Sequence, residues 1–211
     1  MKKIVTFVVL VIIISSGGIY LYTANKKDIS TKTEIKETAT LAPQIENIID
    51  QQISLLKTLV LVTEIIEETK KSNEINKNTS LEDILAIDKT WRESMGISQF
   101  TQMFLENKTA THLLEFQKKN PGFKEIFVAD AFGLNVGQTE KTSDYYQADE
   151  DWWIKSFNEG KGRTFHGDIE FDDSSQTEAI SIYLPIIDPA SGEVHGVLKG
   201  VFDLSVIKNL L

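Results

Sequence analysis

The order of hydrophobic periodicities in this 211-residue sequence predicts an α+β fold, in which a long N-terminal helix lies on a five-stranded, mainly antiparallel sheet. Before Pro121, apolar residues recur in steps of three and four, which is typical of amphipathic helices. Beyond Pro121 they recur at every second residue, in strand-length segments separated by Gly and Pro. An apolar N-terminal segment predicts one transmembrane helix ahead of this domain.

The N-terminal segment indicates export or insertion into a membrane. Two lysines precede residues 4–22, an apolar stretch about as long as the roughly 20 residues that a membrane-spanning helix needs. The same order, with Ser15-Ser16-Gly17-Gly18 after a short apolar core, also fits a cleaved signal peptide. We therefore interpret residues 1–22 as a transmembrane anchor or a signal segment. Both interpretations place residues 23–211 outside the cytoplasm; as an anchor, the segment makes a single pass through a bacterial inner membrane.

A polar linker, residues 23–42, leads to a helix predicted from Pro43 to about residue 72. Two apolar stripes run along this helix, so its apolar face is unusually wide. One stripe can cover the sheet while the other pairs with a second copy of the chain, or both can belong to the core of one domain. The first stripe is Ile45, Ile48, Gln52, Leu55, Leu59, Val62 and Ile66, and the second is Ile49, Ile53, Leu56 and Val60.

The rest of the predicted domain, residues 43–211, follows one plan of helices, strands and a helical loop. Ser80 is a suitable N-cap for a second helix, and the polar residues 107–111 indicate a kink or break within a third. We expect Leu59 and Ile126 to be buried between the long helix and the sheet. The predicted helices are 81–95, 98–119, a short one that Asp149-Glu150-Asp151 opens and a closing one at 204–211; the predicted strands are 123–129, 134–139, 163–170, 178–187 and 194–203.

Several short motifs in this order resemble the extracytoplasmic Cache (PDC-type, PAS-like) sensor domains of bacterial chemoreceptors and sensor kinases. The resemblance covers roughly residues 43–207 and implies a PAS-like sheet that binds a small molecule. The motifs are Phe127-Val128-Ala129-Asp130 with Gly133, Thr142-Ser143-Asp144-Tyr145-Tyr146, Asp151-Trp152-Trp153, Ile180 to Pro185, Gly192, Gly196-Val197, Gly200-Val201 and Asp203-Leu204.

Four aromatic residues between 145 and 153 are the first candidates for a ligand site. Aromatic rings that face a sheet can enclose a small organic ligand, or a cation through the ring quadrupole. The alternative is that these rings pack the loop onto the sheet as core. We favour the pocket for Tyr145 and Trp152, and the core for Trp153. Tyr183, on the polar face of its strand, is a further candidate for the pocket.

The resemblance also bears on the charge of the ligand. Tyr145 and Trp152 match the amino-acid-binding branch of the family in spacing, and Asp172 stands at its amine-binding aspartate. Glu150, however, takes the place of the Arg that binds the ligand carboxylate in that branch, and a Glu would repel a carboxylate. We therefore expect an amine or another small organic ligand. Arg163 is the cation best placed to bind an anion instead.

Composition excludes several other classes of function. The net charge is −9 and no cluster of Lys and Arg is present, which argues against a nucleic-acid partner. The chain has no Cys, and its three His residues are far apart, so we expect no metal site and no cofactor. We find no constellation of catalytic residues, and we expect no enzyme.

These observations predict a membrane-anchored extracytoplasmic sensor domain that binds a small molecule. Residues 4–22 would contact the lipid bilayer, and residues 43–72 would provide a homodimer contact. No output module follows the domain, so a separate signalling protein would carry the output, unless the sequence is a fragment. The alternative is an anchored structural or adaptor module that dimerises through the 43–72 helix and binds no ligand.

Overall fold

The computed structural model of the protein describes residues 11–15, 18–22, 43–172 and 177–206. The chain divides into two compact units, Met1–Thr38 and Ala39–Leu211. In the first unit, strands β1 (Val11–Ser15) and β2 (Gly18–Tyr22) form an antiparallel pair.

This pair differs from the helix that the sequence predicts for residues 4–22. Its Ile- and Val-rich segments favour strands, since β-branched side chains pack well on a pleated surface. The remaining residues of the segment and the linker 23–42 lie outside the described residues. None of the helices that the structure describes is both long and apolar enough to cross a bilayer. The membrane anchor therefore stays a prediction.

The second unit contains the predicted five-stranded sheet, and every neighbouring pair of strands in it is antiparallel. The strands follow the order β4-β3-β7-β6-β5, so the first hairpin and the last hairpin meet at the centre of the sheet. This confirms the predicted PAS-like α+β architecture. The strands are β3 (Phe123–Asp130), β4 (Asn135–Gln138), β5 (Phe165–Asp172), β6 (Thr177–Ile187) and β7 (Val194–Asp203).

The prediction of one continuous helix from 43 to 72 is wrong, because the helix breaks at Leu61-Val62. Val62 adopts an extended backbone with φ −69° and ψ 120°. Val60, Val62 and Thr63 are β-branched and lose side-chain freedom in a helix, so the break falls where helix propensity is weak. The described helices of this unit are α1 (Pro43–Val60), α2 (Thr63–Asn76), α3 (Leu81–Glu93), α4 (Gln99–Leu105), α5 (Lys108–Lys119) and α6 (Asp151–Phe157).

One predicted N-cap and one predicted helix break are confirmed by the helix ends. The Ser80 hydroxyl accepts a hydrogen bond from the Asp83 backbone N–H at 3.2 Å and begins α3. The predicted break in the third helix occurs at Asn107, whose side chain accepts from the Ala110 N–H at 2.8 Å and begins α5. At the end of β7, Leu204 to Val206 are helical, and the rest of the predicted closing helix lies outside the described residues.

The main core lies between one face of the sheet, here called the inner face, and the helices α1, α2 and α5. Leu59 and Ile126 are both buried in it, as predicted. Helix α1 lies close to the sheet at Gly200, because a Cβ atom added to this glycine would lie 3.0 Å from Leu56 Cδ1. Members of both stripes of α1 belong to this core, which is the alternative in which both stripes are intradomain. These members are Ile48, Ile49, Leu56, Leu59 and Val60.

Candidate functional site

The opposite face of the sheet, here called the outer face, carries a row of four residues in register across four strands. Phe127 in β3 pairs with Lys199 in β7, Lys199 pairs with Tyr183 in β6, and Tyr183 pairs with Phe165 in β5. Residues next to them along the strands, among them Ile126, point to the inner face and join the main core. The row therefore sets one lysine among three aromatic side chains on a single face.

Helix α6 packs over β6 and β7 and lays Trp152 on this row. The Trp152 ring stacks on Tyr183 with centroids 5.3 Å apart and an interplanar angle of 13°, and it meets Phe127 edge-on at 5.8 Å. Lys199 Nζ lies 5.5 Å from the Trp152 ring centroid and 5.6 Å from that of Phe127, within cation–π range. We call Phe127, Trp152, Phe165, Tyr183 and Lys199 the outer-face cluster.

Arg163 lies at the β5 side of the outer-face cluster. Its Cζ atom is 5.5 Å from the Phe165 ring centroid, and the Phe165 and Tyr183 rings are 4.7 Å apart. The Arg163 side chain is exposed. Its backbone is tied to α6, because its N–H donates to Ser156 O at 2.7 Å and its carbonyl accepts from the Ser156 hydroxyl at 2.9 Å. One cation, Lys199, therefore lies within the aromatic row, and a second, Arg163, lies at its β5 end.

Trp153 is buried on the same face and serves mainly as core. Its ring stacks on Phe157 at 4.7 Å, and the pair packs on Ala129 and Val197. This is the role that the sequence favoured for it. Its indole Nε1 is buried and, among the described residues, has no hydrogen-bond partner. A buried N–H without a partner is costly, so this donor would be stabilised by any acceptor that reached it.

Acidic side chains collect at the N-terminal end of α6. Glu150, the residue before the helix, is largely exposed. Partial desolvation raises the pKa of Glu150, the charges of Asp144 and Asp149 raise it further, and Lys199 opposes them. Burial and the neighbouring Asp88 and Asp149 likewise raise the pKa of Asp144. A cationic group placed at this acidic rim would relieve the repulsion.

Tyr145 lies away from Trp152, in a second aromatic cluster on α3 and α4. Its ring is 5.6 Å from Trp91, 5.6 Å from Phe100 and 5.5 Å from Phe104. Burial, followed by the charge of Asp130, raises the pKa of Tyr145. We call Trp91, Phe100, Phe104 and Tyr145 the α3–α4 cluster. The ligand-binding role of Tyr145 stays a prediction.

A buried carboxylate on α3 holds the loop that carries Tyr145. Asp88 Oδ1 accepts from the backbone N–H groups of Tyr145 and Tyr146 at 2.8 and 3.1 Å, and Asp88 Oδ2 is 3.0 Å from an Arg92 guanidinium nitrogen. The Trp91 indole N–H also donates to Thr142 O at 2.9 Å. The motif Thr142 to Tyr146, which the sequence analysis associated with the ligand site, therefore fastens its loop to α3.

Asp172 is the last residue of β5, and its backbone pairs with Thr177. Phe165 is the first residue of the same strand, seven residues away, which corresponds to roughly 20 Å of extended chain. The backbone of Asp172 is therefore far from the outer-face cluster. Its side chain lies outside the described part of the chain, and its role stays a prediction.

Sequence reasoning missed Lys199, Phe127 and Phe165 as members of the site. The candidate cations lie near Glu150 in the sequence, whereas Lys199 reaches the aromatic rings through strand pairing. The alternation of β7 could have placed Lys199 on the outer face, but its neighbours depend on the register of two hairpins. In the part of the chain that the structure describes, no three His, Asp or Glu side chains are grouped to hold a metal ion.

Comparison with solved structures finds sensory and ligand-binding domains. The ligand-binding domain of the Campylobacter jejuni chemoreceptor Tlp3, in complex with 4-methylisoleucine, is 15% identical with a TM-score of 0.40 and covers 81% of this chain and 64% of that chain. The ligand-binding domain of the Pseudomonas aeruginosa amino acid chemoreceptor PctB, in complex with L-Arg, is 16% identical with a TM-score of 0.42 and covers 78% and 53%. The E. coli DcuS sensor domain is 18% identical with a TM-score of 0.36 and covers 61% and 91%.

These neighbours belong to the class of protein that the sequence resembles. The chain spans somewhat under two thirds of the length of the Tlp3 domain. No family model and no curated protein matches the chain.

Proposed function

We propose that the chain is a membrane-anchored extracytoplasmic sensor domain that binds a small organic molecule at the outer-face cluster. The observation that supports this most is Lys199, which lies half-buried between the Trp152 and Phe127 rings beneath α6. Aromatic walls with a few convergent polar groups are the usual make-up of a small-molecule site. The unpartnered Trp153 N–H adds a buried donor on the same face.

The charges around the outer-face cluster favour a ligand that carries both an amino group and an acceptor group. The acidic rim at Asp144, Asp149 and Glu150 would stabilise an ammonium, as the sequence analysis expected for an amine. Lys199 would bind a carboxylate or another acceptor, and it would repel a purely cationic ligand from the ring faces. Glu150 by itself would repel a ligand carboxylate, whereas Lys199 would attract it.

A thermal-shift comparison of matched compounds tests this proposal. The panel contains L-amino acids together with the amine and the carboxylate that correspond to each, for example L-leucine, 3-methylbutylamine and 4-methylpentanoate. At concentrations near a hundred times Kd, binding to the folded state contributes about 2.7 kcal/mol. We expect a rise in Tm of roughly 5 to 10 °C with an amino acid and less with its amine or carboxylate.

A pair of lysine variants identifies the site. Lys199→Met should remove the Tm rise with the amino acid, because the acceptor group loses its partner. Lys155→Met is the matched control, since Lys155 lies on the adjacent α6 but is exposed and 4.0 Å from Asp151. Equal loss of the Tm rise in both variants would contradict binding at Lys199. If no member of the panel raises Tm, the adaptor alternative gains support.

The membrane anchor is proposed from residues 4–22, and its topology has a separate test. Reporter fusions after residue 30 and after residue 211 should both score extracytoplasmic, which an anchor with residues 1–3 in the cytoplasm requires. A fusion at residue 211 that scores cytoplasmic would contradict the extracytoplasmic sensor.

A further inference from the structure

The helices α3 and α4 enclose an open cleft of about 390 Å³ on the surface of the domain. This volume falls within the roughly 300–1,000 Å³ that is usual for small-molecule sites. Its walls include Ile87 and Trp91 from α3 and Phe100 and Thr101 from α4. The cleft is formed by elements other than α6 and the sheet, and it is separate from the outer-face cluster.

The aromatic wall of the cleft is held in place from behind. Trp91 is 2% exposed, and its indole N–H donates to Thr142 O at 2.9 Å. Phe100 meets the Trp91 ring edge-on, with centroids 6.0 Å apart, and remains 40% exposed at the mouth. A ligand would therefore meet ring surface that is already ordered, which lowers the entropic cost of binding.

The hydroxyl groups in the lining are already hydrogen-bonded within the protein. Thr90 Oγ1 donates to Ala86 O at 3.0 Å, and Ser94 Oγ donates to Trp91 O at 2.8 Å. The Ser98 and Thr101 hydroxyls are 2.9 Å apart and share one hydrogen bond. The lining thus presents mainly carbon surface, and no hydroxyl in it requires a partner from a ligand.

Charge is absent from the lining that the structure describes for this cleft. The nearby Lys141 ammonium is 5.9 Å from the Trp91 ring centroid, but it donates to the Ser94 carbonyl at 2.8 Å and to the Ser94 hydroxyl at 3.0 Å. An ionised ligand would lose its hydration in the cleft without gaining an unengaged counter-charge. The lining therefore selects for a neutral molecule.

We propose that this cleft is a second ligand site, which takes a neutral and mostly apolar small molecule such as an unsubstituted aromatic ring system. Apolar side chains continue from the cleft along the α3–α4 connection, where Met95 is 98% exposed and Ile97 is 64% exposed. A ligand in the cleft would remove part of this apolar surface from water. The α3–α4 site and the outer-face cluster would then bind ligands of opposite polarity.

Fluorine NMR of the full-length chain labelled with 5-fluorotryptophan tests the second site directly. The chain has three tryptophans, so Trp91 reports on the cleft while Trp152 and Trp153 report on the outer face. Titration with indole should shift the Trp91 resonance saturably and leave the other two in place. Indole-3-carboxylate has the same ring system with a charge, and it should produce no saturable shift.

Two threonine variants provide a matched pair. Thr90 and Thr111 both lie on exposed helix positions and donate to the carbonyl four residues earlier at 3.0 Å. Thr90→Phe fills the cleft and should weaken indole binding at least about tenfold, whereas Thr111→Phe should leave the affinity unchanged. Equal affinity in both variants, equal response to the carboxylate, or a shift in all three tryptophans would overturn the proposal.

Discussion

The two aromatic clusters of this domain are similar in size and differ in what surrounds their rings. In the α3–α4 cluster the rings contact one another and aliphatic side chains, the Trp91 N–H has its acceptor, and the nearby Lys141 ammonium is already hydrogen-bonded to Ser94. In the outer-face cluster a lysine lies over two rings, and the N–H of the adjacent Trp153 is buried without a partner among the described residues. In the first cluster the indole N–H already has an acceptor, and in the second the adjacent indole N–H and the lysine could engage a polar group.

Because of this difference, we expect the two clusters to contribute unequally to the stability of the fold and to the binding of a polar ligand. A ring that is buried and fully satisfied contributes to the folded state through burial and packing. A ring at a half-buried polar site contributes less to folding, because part of its surface stays in water. We therefore expect substitutions in the α3–α4 cluster to act on stability and on the binding of an apolar ligand, and substitutions in the outer-face cluster to act on the affinity for a polar ligand.

The largest expected effect is the loss of stability in Trp91→Ala. This change removes a fully buried ring and its hydrogen bond, and it should cost about 3–5 kcal/mol of unfolding free energy. Trp152→Ala removes a half-buried ring from the outer face and should cost less than about 2 kcal/mol, because less apolar surface is lost. Urea unfolding of both variants measures the difference. An equal cost would remove the distinction between the two clusters.

A smaller effect is expected from Asp130, whose charge also acts on Tyr145 of the α3–α4 cluster. Asp130 is buried in the β3–β4 turn, and desolvation raises its pKa in spite of hydrogen bonds from Ser72, Asn76 and two backbone N–H groups. The folded state therefore binds this proton more tightly than the unfolded state. Protonation of Asp130 therefore stabilises the fold. This stabilisation is complete below the pKa that Asp130 has in the unfolded state, and it is lost as pH rises through the pKa that Asp130 has in the folded state.

The variant Asp130→Asn tests this pH dependence. The amide retains one oxygen for the backbone N–H groups but loses the acceptor for Ser72 and Asn76, which should cost about 1–3 kcal/mol. The cost should be largest at acidic pH and should shrink as pH rises, since only the wild type loses stability with pH. Urea unfolding from about pH 4 to pH 8 follows the trend. The control is Asp149→Asn, which removes one charge at an exposed position. A cost of Asp130→Asn that grows with pH would contradict the raised pKa of Asp130.

The sheet could be predicted from the sequence because each strand carries a period of two between clear turn residues. The last strand agrees with its predicted bounds, and Ser80 and the polar residues at 107 correctly marked helix ends. The break at Val62 could not be read from the apolar period, since both halves of the helix keep apolar residues toward the same sheet. The low helix propensity of the β-branched residues Val60, Val62 and Thr63 marks the break instead.

The site was harder to predict because it depends on contacts between distant parts of the chain. From the sequence, Tyr145 and Trp152 are predicted to line the same pocket because they are only seven residues apart. The hydrogen bonds of Asp88 instead draw Tyr145 toward α3, and the register of β7 brings Lys199 to Trp152. Neither the partner of a buried carboxylate nor a cross-strand register follows from local spacing.

Calorimetric titration of two aromatic variants tests most directly the claim that the outer-face cluster is the polar ligand site. The titrant is the amino acid that gives the largest thermal shift, and the variants are Trp152→Ala and Phe100→Ala, which remove partly exposed rings from the two clusters. We predict that Trp152→Ala weakens binding at least about tenfold, as expected for an aromatic residue at the centre of a site. Phe100→Ala should bind with wild-type affinity. Wild-type affinity in Trp152→Ala, together with a loss in Phe100→Ala, would contradict the account and move the site to the α3–α4 cluster.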